Sequence, residues 1–282
     1  FGLLVVGRTW LYANGFKRSR QVGVPVVVVG NLIAGGAGKT PTVLAVLKLL
    51  EYRGWKVGVI SRGYGRQGAR TNWPGYDYLM QAEAGFLHLT GEPGSPPARM
   101  GLSIVDFMTG ITTAVAILAS LLGVARDGHG GDIDVSLFDV ALHQLSYPGN
   151  WYMNEGLVTG RVPRSGHPSA TPVQLFRTAD GWIFIMCMTE KFWQALCGAT
   201  ERPDLLTHPD YVTIAKRREN RDALTGVLDA VFEQATTADW MKRLQGLLPA
   251  APVYDLPQAL DNPYLATIGM VQAVPHPMKS DF

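Results

Sequence analysis

Two things are scarce in this 282-residue chain: cysteine, which occurs twice, and acid in the first quarter. Cys187 and Cys197 fall within one predicted strand-to-helix stretch and show neither CxxC nor metal-ligand spacing. A disulfide framework is therefore excluded, and free thiols in a reducing cytoplasm are expected. The six histidines, His88, His129, His143, His167, His208 and His276, include no i, i+4 pair, so no metal site is read from them. The chain opens on Phe1, and no basic, apolar and small-residue series ending in a cleavage site follows, so no secretory signal is expected.

The scarcity of acid is the sharper signal. Residues 1–66 hold ten Lys or Arg against one acid, Glu51, whereas residues 67–282 hold fifteen against twenty-two, so a net charge of +2 conceals parts of +9 and −7. Charge segregated this way along a chain points to parts with different partners or different origins. The basic start suits phosphate or an anionic membrane surface, and the acidic remainder argues against nucleic acid as its target. With 47% apolar and 17% charged residues, the chain has enough apolar material for a globular core.

Charge is also missing from Phe107 to Ala125, nineteen residues that reach the length of a membrane span. Three Thr, one Ser and two Gly lie within the run, Asp106 precedes it, and aromatic or basic anchors are not found at both ends. A helix buried between the layers of an α/β domain is the expectation.

Along the chain, residues 1–20 set Leu3, Leu4, Trp10, Leu11 and Phe16 among Arg8, Lys17, Arg18 and Arg20, a basic amphipathic pattern that suits a membrane surface or the packed face of its own domain equally well. The run Val26 to Val29, between Pro25 and Gly30, reads as a buried parallel strand, the segment from Pro41 to Leu50 as a helix, and Lys56 to Ile60 as the next strand. Beyond Gly65 the texture changes to a loop rich in Gly, Pro and aromatics. Asp132 to Val135 reads as a strand, 156–172 as loop, and Val173 to Phe176 with Trp182 to Met186 as a hairpin turned at Asp180-Gly181. Leu224, Val227, Leu228, Val231 and Phe232 follow helical spacing, and Thr236 with Asp239 caps a further helix running to Leu247.

Between the valine strand and its helix stands GNLIAGGAGKTP, the context of a phosphate-binding loop. Gly35, Gly36 and Gly38 let backbone N–H groups turn toward a phosphate, Lys39 neutralises its outer charge, and Thr40 can ligate magnesium, which implies ATP and Mg. The strict pattern would put glycine at Ile33. With Ser61-Arg62-Gly63-Tyr64-Gly65 downstream, residues 1–66 resemble the amino-terminal part of tetraacyldisaccharide 4'-kinase, a peripheral inner-membrane enzyme of lipid A synthesis. Phosphoryl transfer needs carboxylates to hold magnesium, and this segment offers only Glu51, so kinase activity is not expected.

The remainder carries a second resemblance. GYDYLMQAEAG, HLTGEPGSPPARMGLSIVDFMTG, GGDIDVSLFDVALHQ, ADGWIFI and EKFWQALCG, with Asn220-Arg221 and Ala251-Pro252-Val253, resemble the class III CoA-transferases of the formyl-CoA and carnitine type. The resemblance covers about 67–282 and implies an α/β fold, acyl-CoA and carboxylic acid as substrates, and a homodimer. It implies for Asp106 the attack on the thioester that yields an aspartyl anhydride. Carboxylates are ionised at neutral pH, and an anhydride keeps the acyl group activated, so the chemistry is consistent. Taken without the resemblance, Asp106 reads as the N-cap of the apolar helix. Glu190 aligns with an acidic active-site position of related racemases, or is a plain N-cap or first-turn acid. Tyr76 stands where those racemases have histidine, which disfavours α-proton exchange.

The expected architecture is α/β: a truncated P-loop βαβ unit over 1–66, then a class III CoA-transferase fold over 67–282 without its Rossmann-like first half. The join falls near Gly63 to Gly68. A chain so assembled is expected to transfer CoA with impaired turnover or to be non-catalytic.

Overall fold

The computed structural model describes residues 63–128 and 133–271. These form two compact units by internal contacts: one takes residues up to Gly91 with Pro96–Thr159, the other Glu92–Ser95 with residues from Gly160 onward. The division at 159/160 lies inside the stretch that the sequence reads as one region.

The first unit is helical. Helix α1 spans Asp77–Glu83, α2 Phe86–Leu89, α3 Ile104–Asp127, α4 Leu137–His143 and α5 Ser146–Glu155. Met80, Ala84, Val105, Leu137 and Ala141 form a small core where α1, α3 and α4 meet. The residues around the expected join are part of this packing. The Gly63 carbonyl accepts the Phe138 N–H at 3.0 Å, and Tyr64 packs on Phe138 and Trp73 with ring centroids 5.5 and 6.0 Å away. The Tyr64 hydroxyl donates to Glu83 at 2.6 Å. Arg66 donates from its backbone N–H and its Nε to Asp134, at 3.3 and 3.0 Å. Gly63 and Gly75 touch through their backbones: a Cβ on Gly63 would lie 2.4 Å from the Gly75 Cα, so neither position has room for a side chain.

Helix α3 corrects the expectation of a helix buried between layers. Its buried positions are Val105, Asp106, Thr109, Gly110, Thr113 and Ile117, one stripe at i, i+4 spacing that faces α1 and α4. On the remaining circumference Phe107, Ile111, Val115, Leu118 and Leu122 are exposed, the last at 72%. The physical reason is that α1 and α4 are the helices chiefly packed on it, and two neighbours can cover only part of a helix surface. By length and composition α3 could cross a membrane. Its buried stripe carries two threonines bonded to their own backbone, Thr109 to Val105 and Thr113 to Thr109, and its first turn joins the small core through Val105. Of the strand expected at Asp132 to Val135, Asp132 lies outside the described residues, Ile133 makes an isolated bridge only, and Asp134, engaged by Arg66, and Val135 lie in no strand.

The second unit is built on an antiparallel sheet in the order β1-β2-β3, with β1 Val173–Arg177, β2 Trp182–Met186 and β3 Ala250–Pro252. The hairpin forms as the Asp-Gly signal predicts, Arg177 pairing with Trp182 across a four-residue turn. Asp180 also closes the turn onto a helix, accepting from the Thr237 N–H at 2.8 Å and its hydroxyl at 2.9 Å. These bonds hold its carboxyl below the ordinary carboxylate range. One face of the sheet is covered by helices α6 Glu190–Ala199, α9 Arg221–Phe232 and α10 Thr237–Leu244, with the shorter α7 Asp204–Thr207 and α8 Ile214–Glu219 between them. Helices α11 Leu256–Leu260 and α12 Pro263–Thr267 follow β3. The cap expected at Thr236 and Asp239 is present, the Thr236 hydroxyl accepting the Asp239 N–H, but α10 ends at Leu244 rather than Leu247. Phe232 is the centre of the core, stacked on Phe176 at 5.0 Å and edge-on to Trp240 at 4.9 Å, whose indole N–H donates to its carbonyl at 2.7 Å.

Cys187 and Cys197 are free and fully buried in this core. Burial pushes both thiols up to about 12. Since the thiolate is the reactive form, neither thiol should react with an alkylating reagent at neutral pH in the native protein, and both should react once it is denatured. Peptide mapping by mass spectrometry checks this, and labelling of either cysteine in the native state would contradict the burial.

Candidate functional site

Asp106 is not the cap of its helix. Ser103 occupies that position and makes no side-chain cap bond, which leaves the first-turn amides of α3 in need of acceptors. One acceptor comes from a different helix. Asp77, in the first turn of α1, takes the backbone N–H of Asp106 on Oδ2 at 2.9 Å. Its other oxygen, Oδ1, accepts from Gln81 Nε2 at 2.6 Å, one turn further along α1. Gln81 in turn donates to the Leu102 carbonyl at 3.1 Å and accepts the Met100 N–H at 3.0 Å.

The result is a polar bracket that holds both the approach to α3 and its first turn. All three of its side chains are buried: Asp77 at 5%, Gln81 at 0% and Asp106 at 6% exposed. Both Asp77 oxygens act as acceptors, so the bracket needs a carboxylate there and not an amide. Asp106 itself stands in the first turn of the 24-residue α3. Because Asp77 uses the Asp106 N–H, that amide cannot also stabilise an oxyanion.

Glu190 is the first residue of α6. Thr189 is the cap, its hydroxyl accepting the Phe192 N–H. The Glu190 carboxylate, half-exposed, accepts from Arg217 Nη2 at 2.9 Å. Arg217 is wholly buried, with Nε on the Thr171 carbonyl at 3.1 Å and Nη1 on the Tyr211 carbonyl at 2.8 Å. Its guanidinium lies over the Trp193 ring, 4.8 Å from the centroid. Glu190 is thus the counter-ion of a buried cation.

Asp106 and Glu190 belong to different units. Gly35, Gly36, Gly38, Lys39 and Thr40, the residues read as a site for ATP and Mg, lie outside the described residues, as does the amphipathic segment 1–20. Among the described residues no group of three His, Cys, Asp or Glu side chains could hold a metal ion. Three participants are not read from the sequence. Asp77 and Gln81 sit in GYDYLMQAEAG at an i, i+4 spacing that could have flagged them. Arg217 sits in Lys216-Arg217-Arg218-Glu219, which looks like a solvated helix face and gives no sign that its middle residue points inward.

Comparison with known proteins adds two family matches. The model of CoA-transferase family III matches residues 57–281, and that of tetraacyldisaccharide-1-P 4'-kinase matches residues 1–82. Among curated proteins, an acyl-CoA transferase of Fusarium pseudograminearum is 34% identical over 88% of this chain and 54% of its own length. An acetyl-CoA:oxalate CoA-transferase of Acetobacter aceti is 30% identical over 75% of this chain and 54% of its own length. Of the solved structures, Rv3272 of Mycobacterium tuberculosis superposes with a TM-score of 0.67 at 28% identity, covering 79% of this chain and 59% of that one. A CAIB/BAIF family protein of Brucella suis gives 0.65 at 26% identity, covering 79% and 62%. The chain spans about half the length of the curated relatives it matches, and the solved neighbours support its α/β fold.

Proposed function

Because the chain belongs to CoA-transferase family III, we propose that it moves CoA between carboxylic acids through an aspartyl anhydride formed on Asp106. The observation that carries this reading is the buried Asp77–Gln81 bracket, which holds the turn bearing Asp106 by that residue's own amide. In the first step an Asp106 carboxylate oxygen attacks the thioester carbon, the C–S bond breaks, and the CoA thiolate leaves. The acceptor carboxylate then attacks the aspartyl carbonyl and expels the donor acid, giving a second anhydride. Attack of the CoA thiolate on the acceptor's acyl carbon forms the new thioester and frees Asp106. No proton is gained or lost over the cycle.

The donor and acceptor acids belong to this proposal as a class, small carboxylic acids, in keeping with relatives that bear oxalate, mesaconate and glutarate in their names. Asp106 and Glu190 are each assigned a catalytic role, the domain boundary is assigned to residues 66/67, and the chain to a cytoplasmic homodimer, to which the exposed stripe of α3 would offer an apolar face. Peripheral membrane contact is assigned to residues 1–20.

The test is incubation with acyl-CoA, trapping with hydroxylamine or borohydride, and mapping of the modified peptide. Label on Asp106 that disappears in Asp106→Ala supports the assignment. Label on another carboxylate, or transfer unchanged in Asp106→Ala, removes Asp106 as the nucleophile.

The kinase-like match over 1–82 motivates a second experiment. With Glu51 the sole acid among residues 1–66, no ATP-dependent phosphorylation of a lipid A disaccharide is expected. Phosphorylation that is lost in Lys39→Ala would reverse this.

A further inference from the structure

The second unit contains a cleft of about 280 Å³ between α9 and the loop ahead of β1, with Arg164, Gln174, Arg221, Thr225 and Gly226 among its lining residues. From its charge pattern we infer that it binds a small monocarboxylate at the Arg221 guanidinium. Of the four charged side chains that line it, Arg164 and Asp229 neutralise each other at 2.6 Å, and Asp222 is exposed to solvent. Arg221 is partly buried, and its hydrogen bonds end on neutral oxygens. Its Nη2 meets the His167 carbonyl at 2.7 Å and the Ala170 carbonyl at 3.3 Å, and its Nη1 meets Gln174 Oε1 at 3.5 Å. Among the described residues no carboxylate lies within ion-pair distance of it, although burial lowers its pKa. A partly buried guanidinium whose hydrogen bonds end on neutral oxygens, with Asp222 acting on it only at longer range, is matched by a planar two-oxygen anion.

Two further features fit such a ligand. The Thr225 hydroxyl accepts from Gln174 Nε2 at 2.8 Å and retains its own proton to donate into the cleft. Gly226 lies inside α9, where glycine is unfavourable relative to alanine, yet a Cβ there would meet no atom within 4 Å. No packing contact requires the glycine, and Gly226 lines the cleft. With Asp229 taken up by Arg164, Asp222 on the same lining opposes a second negative charge, so the site should prefer a monoanion over a dianion or phosphate.

Propionate added to the isotopically labelled full chain, up to roughly 0.1 M at constant ionic strength, provides the test through the Thr225 and Gly226 amide resonances. Saturable shifts are expected, with succinate and phosphate binding more weakly. Gly226→Leu fills the cleft without removing a hydrogen bond and should weaken binding by at least about tenfold while leaving the rest of the spectrum native. Asp106→Ala should bind propionate as the parent chain does, which separates this site from the transfer reaction. The inference is overturned if the shifts rise linearly as they do with sodium chloride, or persist undiminished in Gly226→Leu. It is equally overturned if they vanish in Asp106→Ala, or if succinate binds more tightly than propionate.

Discussion

Glu190→Ala is expected to destabilise the second unit by about 3 kcal/mol, because it leaves the wholly buried guanidinium of Arg217 without its counter-charge. The value sits at the low end for a broken buried pair, since Glu190 is half-exposed and water can reach the vacated position. Glu190→Gln keeps an acceptor facing Nη2 and should cost less, about 1–2 kcal/mol. Arg217→Met removes the charge but orphans the Thr171 and Tyr211 carbonyls, at about 1–3 kcal/mol for each one left unsatisfied. Urea unfolding followed by tryptophan fluorescence measures all three, Trp193 lying against the guanidinium itself. If Glu190→Ala matched the parent within about 0.5 kcal/mol, the ion pair would have no structural weight. The comparison also bears on mechanism. Activity lost in Glu190→Ala and retained in Glu190→Gln would be a stability effect, whereas equal loss in both would point to the charge acting on substrate.

Asp77→Asn should reduce acyl capture by Asp106 by on the order of a hundredfold, because the bracket fixes the nucleophile's backbone and small displacements are costly. Asparagine is nearly isosteric, yet it cannot replace this carboxylate. Both oxygens of Asp77 receive donors, Asp106 N–H and Gln81 Nε2, so an amide NH₂ must face one donor with another. Loss of this acceptor at the start of α3 should also cost about 1–2 kcal/mol, as for other helix caps. The rate of anhydride trapping at saturating acyl-CoA separates positioning from folding, provided circular dichroism shows the mutant folded. Capture at the parental rate would mean that Asp77 supports the helix and nothing more.

Periodicity served where a segment contacts one core and failed where the contact crosses elements. The hairpin, α9 and the Thr236 cap are local: an Asp-Gly turn, an i, i+4 apolar stripe and a hydroxyl three residues before a carboxylate suffice to specify them. Helix α3 is equally clear in the sequence, but its apolar composition says nothing about how many neighbours are present to cover it. Asp106 was legible only through resemblance. By spacing alone it reads as a cap, and the residue that actually accepts an α3 amide, Asp77, lies twenty-nine positions earlier. Arg217 was hidden for a related reason, since α8 has six residues and is too short to display which side faces inward.

The backbone contact between Gly63 and Gly75 constrains how the two family segments can have been joined. Neither glycine tolerates a side chain, and the carbonyl of the first is already committed to Phe138. A crossover downstream of residue 63 therefore had to import a glycine in register with Gly75 from the kinase-like parent, while one upstream would have carried the pair across intact. The same reasoning sets where the transferase portion can be cut away: a fragment beginning at residue 67 discards the Gly63 carbonyl, the Tyr64 ring and the Arg66 guanidinium, and one beginning shortly before Gly63 retains them.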